Sequence, residues 1–485
     1  MRVRAFTLLG ATSALLAALV AGSPAASAQE RGVTVMTRNI YLGADVGVAL
    51  GLIPDMPAAA QFMWDQLRAT DFPTRASLLA QEAAEHRPAV IGIQEAATWE
   101  CTAGVTGPRV VVQDFLAELL AAMRATGVEY VVASDGSNPA VNPGYSIPPI
   151  PGVTMVRDPQ AFPPLFGSDE AACGFTIADA LLVRSDLADR VLASGTVEYA
   201  TRTTIVPVLM EISRGYAWAD IDLGGTPTRV VTTHLESLWD PGVVPSARLQ
   251  AGQLIDDLAT TTMPLIVLGD FNSDPRDPRP ASANPGGQPE VSAACPADGP
   301  QCNAVRAMNA AGFTNAGPDI NDPANFTWGA GALLAGPDLA RLPDALAMGN
   351  RYGMTDRIDH IWLRNGVQAE RASLIGAAWP TTPTWDCRTP EQLANLRAAA
   401  EALDVEPAGC LPSDHAGIVA TVLLPESSTR DAVLVDRPSS GLTPLALLGL
   451  VIIVAVLIAA VPALALAGVV AATTGRPARR GTPGS

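Results

Sequence analysis

Val267-Leu-Gly-Asp-Phe-Asn-Ser-Asp-Pro275 is the stretch whose reading decides the fold. Residues 265–268 are four apolar side chains in a row, the mark of a short buried strand. Gly269 permits a sharp bend, and Asp270 and Asn272 follow two positions apart. Side chains two apart at a strand end face the same way. A carboxylate and an amide therefore share one space at a sheet edge, an arrangement suited to binding and hydrolysing a phosphorylated group. Alone the stretch is ambiguous, because a Gly-Asp turn also ends strands that do nothing else.

The pattern repeats along the chain. Strands predicted over 33–39, 89–95 and 228–234 end in Asn39, Glu95 and His234, and Asp414-His415 precedes a last strand over 416–424. One polar strand end is noise; five imply a site assembled at one rim of a sheet core. Further strands are expected at 130–133, 180–184, 206–212 and 357–363, and helices at 61–69, 75–85, 112–125 and 246–258. Pro- and Gly-dense stretches at 138–172, 274–302 and 377–411 read as irregular surface segments.

The chain has 485 residues, enough for one large domain or two ordinary ones. Residues 1–28 have the form of a signal peptide: Arg2 and Arg4, an apolar run, then Ala26-Ser-Ala28. Residues 442–472 carry no charge and exceed the roughly 20 residues that span a bilayer; Arg476, Arg479 and Arg480 follow. The expected organisation is a signal peptide (1–28), a catalytic domain (29–430), a linker (431–441), a transmembrane helix (442–472) and a short basic cytoplasmic tail (473–485). The protein is then exported and anchored in the cell membrane, with the catalytic domain outside. Residues 29–441 hold 48 acids against 26 Arg, a net of −22, which gives no general attraction to nucleic acid or anionic lipid. Six Cys in an exported chain favour disulfides, and order and proximity pair Cys101–Cys173, Cys295–Cys302 and Cys387–Cys410.

Glu95 at a strand end is a hard oxygen ligand suited to Mg2+ or Mn2+. Asp359 sits on an otherwise apolar strand, where a buried carboxylate needs a partner: a His, or Arg357 beside it. Of the four His, His234 and His415 fall at strand ends; His86 reads as a helix-end residue and His360 as structural, on the opposite face from Asp359. No Gly-x-Ser-x-Gly elbow, Walker loop or dinucleotide-binding glycine pattern occurs. Trp64, Trp99 and Trp239 stand near these motifs, as core packing or as contacts to a base or lipid.

Thr37-Arg-Asn39, Ile93-Gln-Glu95, Thr233-His-Leu-Glu236, Gly269-Asp-Phe-Asn272, Arg357-Ile-Asp-His-Ile361 and Ser413-Asp-His415 occur in that order. Together they resemble the endonuclease/exonuclease/phosphatase superfamily over roughly residues 31–425. The resemblance implies a four-layer α/β sandwich, two packed mixed β-sheets flanked by helices. It implies Glu95 as main metal ligand with Asn39 and Asp414 close by, the metal being Mg2+ or Mn2+. Asp270 would position or deprotonate the attacking water, and His234 and Asn272 would hold phosphoryl oxygens. His415, oriented by Asp359, would stabilise developing charge or pass a proton. Whether Asp270 or His415 is the base stays open. The expected activity is metal-assisted hydrolysis of a phosphoester: nucleic acid, a phospholipid head group or a small phosphate ester. The alternatives are an extracellular nuclease specifically, or a catalytically silent binding module on the same fold. Apart from the membrane, no obligate protein partner is expected.

Overall fold

The computed structural model describes residues 32–425, apart from 106, 207–209, 239–243, 281–288, 297–301 and 380. The expected signal peptide, the linker, the membrane helix and the basic tail lie outside the described residues, as does Trp239. No helix among the described residues is long and apolar enough to cross a membrane.

The chain opens with β1 (Gly32–Asn39), then helices α1 (Val46–Gly51), α2 (Met56–Thr70) and α3 (Phe72–His86). β2 (Val90–Thr102), β3 (Val110–Asp114), α4 (Phe115–Ala125) and β4 (Tyr130–Val132) follow. Next come β5 (Val141–Ile147), β6 (Met155–Arg157), α5 (Pro163–Phe166) and the long β7 (Glu170–Arg184). β8 (Val191–Glu198), β9 (Thr203–Val206), β10 (Met210–Ile212), β11 (Gly215–Leu223) and β12 (Thr226–His234) lead to α6 (Ser246–Asp257) and β13 (Leu265–Asp270). The rest is α7 (Ala304–Ala310), β14 (Thr314–Asn315), α8 (Leu342–Met348), β15 (Asp359–Arg364), β16 (Gln368–Ile375), α9 (Pro390–Leu403) and β17 (Gly417–Leu423).

Two mixed sheets form. The first runs β16-β17-β1-β2-β7-β4, with β3 on β2 and β5 and β6 on β7; the second runs β14-β15-β13-β12-β11-β8. Their inner faces share one apolar layer, with Val35, Val90 and Leu181 from the first meeting Ala219, Ile266 and Ile361 from the second. The outer face of the first sheet packs on α2, α3 and α4 through residues such as Leu67, Leu79 and Leu119. That of the second packs on α6 and α7 through Leu254 and Met308. The order helix, sheet, sheet, helix is the expected four-layer sandwich.

Each sheet contains one parallel pair, β1 with β2 and β12 with β13. Parallel neighbours finish at the same edge, so the residues closing them come together. His234 faces Asp270 across β12/β13, and Asp270 faces Asp359 across β13/β15. The sheets meet closely behind this edge. A Cβ on Gly92 would lie 2.7 Å from Thr232 Oγ1 and 2.9 Å from Leu268 Cβ. Next to it, Thr37 Oγ1 donates to Gln94 Oε1 (3.2 Å) and Gln94 Nε2 donates to Thr232 Oγ1 (2.9 Å), a buried polar bridge from sheet to sheet.

Behind the second sheet's edge lies an ionic knot. Arg279 donates to Asp277 Oδ1 (2.7 Å) and Asp356 Oδ1 (2.6 Å); Arg276 grips Asp274 with two bonds of 2.7 Å; Asp274 Oδ2 accepts the Arg357 amide (2.8 Å). It pins the chain leaving β13 to the chain entering β15.

Several local expectations are corrected. β2 does not stop at Glu95 but continues to Thr102. Its register against β7 shifts between Ile93 and Ala96, so Gln94 and Glu95 together oppose one residue, and Glu95 has φ +62°. Such a bulge re-aims a side chain without ending the strand. The helix predicted over 112–125 starts only at Phe115, because β-branched Val110–Val112 pair with β2 and Asp114 caps the helix through the Ala117 amide (3.0 Å). In place of the single strand predicted over 206–212, β9 ends at Val206 and pairs antiparallel with β10, which begins at Met210. The stretch 138–172 contributes β5 and β6 to the first sheet. The stretch 377–411 contains α9, opened by a capping box between Thr389 and Gln392. The three disulfides pair as expected: Cys101–Cys173, Cys295–Cys302 and Cys387–Cys410.

Gly92→Ala will push the sheets apart. Urea unfolding should show a loss of about 1–3 kcal/mol, the usual cost of overpacking a close-packed core; unchanged stability would show that the seam has slack.

Candidate active site

The rim where both sheets end borders a cavity of about 410 Å³. Glu95, His234, Asp270, Asn272, Asp414 and His415 all line it. Asn39 lies beneath them, fully buried.

Asn39 ends β1 and joins the two sheets. Its Oδ1 accepts the Tyr41 amide (2.9 Å), which turns Nδ2 toward the carboxylates, donating to Glu95 Oε1 (3.0 Å) and Asp270 Oδ2 (3.1 Å). The second Glu95 oxygen accepts the Leu42 amide (2.7 Å). Asp270 Oδ1 accepts the Asn272 amide (2.9 Å), possible because Asn272 adopts φ +43°. Asn272 Nδ2 donates to Leu235 O (2.7 Å), which fixes the side chain at the cavity wall. Asp270 and Asn272 thus share one space, as their spacing implies.

Asp270 Oδ2 lies between two imidazoles, 3.6 Å from His234 Nε2 and 3.7 Å from His415 Nε2. Burial and the nearby Asp359 charge push its carboxyl up to about 8. The imidazoles differ in protonation. His234 Nδ1 faces the Arg214 guanidinium at 3.1 Å. Arginine only donates, so Nδ1 accepts and the ring proton sits on Nε2, pointing into the site. Burial, reinforced by the Arg214 charge, lowers His234 to about 3. His415 Nδ1 instead donates to Asp359 Oδ2 (2.9 Å). Burial opposes charge on this ring, but Asp359 and then Asp414 outweigh it and raise His415 to about 10. Asp359 in turn is held below the ordinary carboxylate range by His415 against the pull of burial. One ring is a neutral donor and the other a cation.

Oxygen donors for a hard cation are present. Asp414 Oδ1 is buried with no hydrogen-bond partner, and burial raises this carboxyl to about 6, with Glu95 adding to the rise. Glu95 and Asp414 both open on the cavity, the donor chemistry Mg2+ or Mn2+ takes. Asp270, Asp359 and His415 form the tightest acid-and-imidazole group among the described residues. Asp359 and His415 are already bonded to each other there through His415 Nδ1. Asn39 stands beside Glu95 with its oxygen engaged by Tyr41.

Two structural arginines hold the loops that carry these groups. Arg38 forms a two-bond pair with Glu82 and donates to His415 O. Arg75, fully buried, donates to four carbonyl oxygens, those of Ile40, Tyr41, Thr70 and Pro412. His86 ends α3, half-buried, and His360 is fully buried against Phe271 and Trp362, away from the cavity. Trp64 and Trp99 are buried in the core, ring centroids 6.1 Å apart.

Other residues of the site carry no expectation from the sequence. Arg214 is held by Glu236 Oε2 (3.1 Å), and Asp179 Oδ1 lies 3.7 Å from His234 Nδ1. Trp328 donates to Asp414 Oδ2 (3.4 Å), and Arg341 lies over its ring at 3.9 Å. Glu236 stands inside the quoted Thr233–Glu236 motif, a signal open to use. Trp328 and Arg341 lie outside the six quoted motifs.

The profile of the endonuclease/exonuclease/phosphatase family matches residues 39–415, and the chain belongs to that family. Among solved structures it is similar to a humanised zebrafish TDP2 (16% identity, TM-score 0.38, covering 81% of this chain and 99% of that one). It is also similar to a mannosyl-6-phosphatase of Bacteroides thetaiotaomicron (14%, TM-score 0.39, 81% and 100%) and to an endonuclease/exonuclease/phosphatase of Beutenbergia cavernae (16%, TM-score 0.42, 81% and 72%). No curated protein matches the sequence.

Arg214→Met removes the donor to His234 Nδ1 and the charge that depresses it. The His234 ring should then titrate at higher pH in an NMR titration, and the stranded Glu236 should cost about 3–5 kcal/mol in urea unfolding.

Proposed function

We propose that this protein is a metal-dependent phosphoester hydrolase, exported and held at a membrane with its catalytic domain outside. The observation that carries the reading is the placing of Asp270 Oδ2 among Asn39, His234 and His415 at the edge of one cavity.

The roles follow from what each group can donate or accept. His415, with three carboxylates within 4.0 Å, is a cationic donor that faces charge growing on the phosphoryl group. That leaves the ionised form of Asp270 to orient the attacking water and take its proton, so turnover should rise as pH approaches the value of about 8 to which burial and Asp359 push its carboxyl. His234 offers Nε2–H to a non-bridging oxygen, and Asn272 sets that wall of the cavity. Asp359 keeps the His415 ring in place by holding its Nδ1 proton. Glu95 and Asp414 would hold Mg2+ or Mn2+, which when bound supplies Lewis-acid polarisation of the phosphoryl oxygens. Asn39 positions Glu95 and Asp270 relative to each other.

Bis(4-nitrophenyl) phosphate should be hydrolysed by the full chain in Mg2+, and EDTA should abolish turnover. Asp270→Ala and His234→Ala should each lower kcat/KM by about 10²–10³-fold. Turnover that survives EDTA, together with a fully active Asp270→Ala enzyme, would overturn the mechanism.

Three disulfides support export to an oxidising compartment, and the uncharged stretch 442–472 supports anchoring. In a Gram-positive or Gram-negative host, the mature N-terminus should be Gln29, and the protein should partition with membranes. A version ending at 441 should appear in the soluble exported fraction; its retention with membranes would refute the anchor.

A further inference from the structure

The site cavity does not end at its polar groups. Val46, Leu50 and Tyr145 line it and also line a second, narrow cleft that runs between α1, α2 and the outer strands of the first sheet. The walls of that cleft include Ile53, Met56, Met63, Ile147 and Phe175. Ala49, Ala59 and Ala60 are small where two helices would otherwise fill the space, and this is what leaves the cleft open. The polar atoms nearby are occupied or covered. Thr154 Oγ1 accepts the Ile150 amide (2.9 Å). Trp99 Nε1 and Tyr145 Oη are buried without partners among the described residues, and the accessible lining of the cleft is almost entirely carbon.

We propose that this cleft is the subsite for an aliphatic chain, so that the substrate is a phosphoester of an alkyl alcohol, with its phosphoryl group at Asp270 and its chain along α1. The assignment rests on the hydrolase reading and names the substrate class for it. Val46, Leu50 and Tyr145 line both spaces, so the apolar cleft adjoins the catalytic cavity. A chain leaving the phosphoryl group by that path exchanges water for Leu, Ile and Met side chains at each carbon, which favours binding. The space, about 50 Å³, accepts about four methylene groups at one water-sized sphere each. A charged substituent would be desolvated there without a counter-charge, since no ionised side chain among the described residues lines the cleft. This disfavours a nucleotide along the same path, in keeping with the net −22 of residues 29–441.

The test uses alkylphosphonates, whose C–P bond is not hydrolysed, so binding is read whether or not the protein turns over. Calorimetry of the full chain in Mg2+ with methyl-, ethyl-, butyl- and octylphosphonate should show Kd falling about fourfold per methylene, then levelling once about four are buried. Ala60→Phe, which fills the cleft, should remove that slope, with thermal unfolding confirming that the variant is folded. A Kd independent of chain length overturns the subsite, and so does a slope that persists in folded Ala60→Phe. A clear slope in a protein that leaves both bis(4-nitrophenyl) phosphate and 4-nitrophenyl phosphate intact would sustain the subsite while refuting the hydrolase.

Discussion

The close seam between the two sheets is the constraint on which the site depends. Asn39 and Glu95 belong to one sheet, and His234, Asp270 and Asp359 to the other. Among the described residues no hydrogen-bond ladder joins the two sheets, so side chains set their spacing. Gly92 allows the approach because it has no Cβ to collide with Thr232 and Leu268. Gln94, held by Thr37 within its own sheet, crosses the gap with one buried bond to Thr232, which specifies one alignment where an apolar layer alone would tolerate sliding. The Asn39 amide, bonded to a carboxylate of each sheet, is the last link of this seam and the first part of the catalytic group.

A buried edge lined with carboxylates would be costly without compensation. The chain supplies it from arginine, since it contains no lysine. Arg38 and Arg75 satisfy the carbonyls of the loops that present Asn39 and His415, while Arg214 serves Glu236 and His234 together. A planar guanidinium spreads its donors over several acceptors and keeps its charge when buried, which a lysine does not. Through these contacts two chemically identical imidazoles, both near Asp270, reach opposite states. One has an arginine at Nδ1 and the other an aspartate.

Much of this was legible beforehand because strand-end residues announce themselves. Asn39, Glu95, His234, Asp270, Asn272, Asp414 and His415 sit where an apolar run gives way to polar chemistry, and all meet at one rim. The structure also joins Asp359 to His415, one of the two partners its buried strand position allowed. The bulge at Glu95 was hidden, since a left-handed residue inside a continuing strand leaves no mark on hydrophobic alternation. Strands β5 and β6 were hidden by the Pro and Gly of their surroundings, because pairing with the long β7 stabilises segments with little strand propensity of their own. Helix α9 was a different case: Thr389-Pro-Glu-Gln392 is a capping box in plain view. Arg214, Trp328 and Arg341 act only through tertiary neighbours far away in the chain, and single-sequence pattern does not carry such pairings.

The ionic knot behind Asp270 closes within a few residues of the strand it secures. Asp274, Arg276, Asp277 and Arg279 are all tied down before the chain reaches 281, and Asn303 bonds back to the carbonyls of Asp274 and Asp277 as it returns. The bonds that hold the chain behind Asp270 are thus made by residues 274–279 and 303, and a change in length between 281 and 301 leaves every one of them intact.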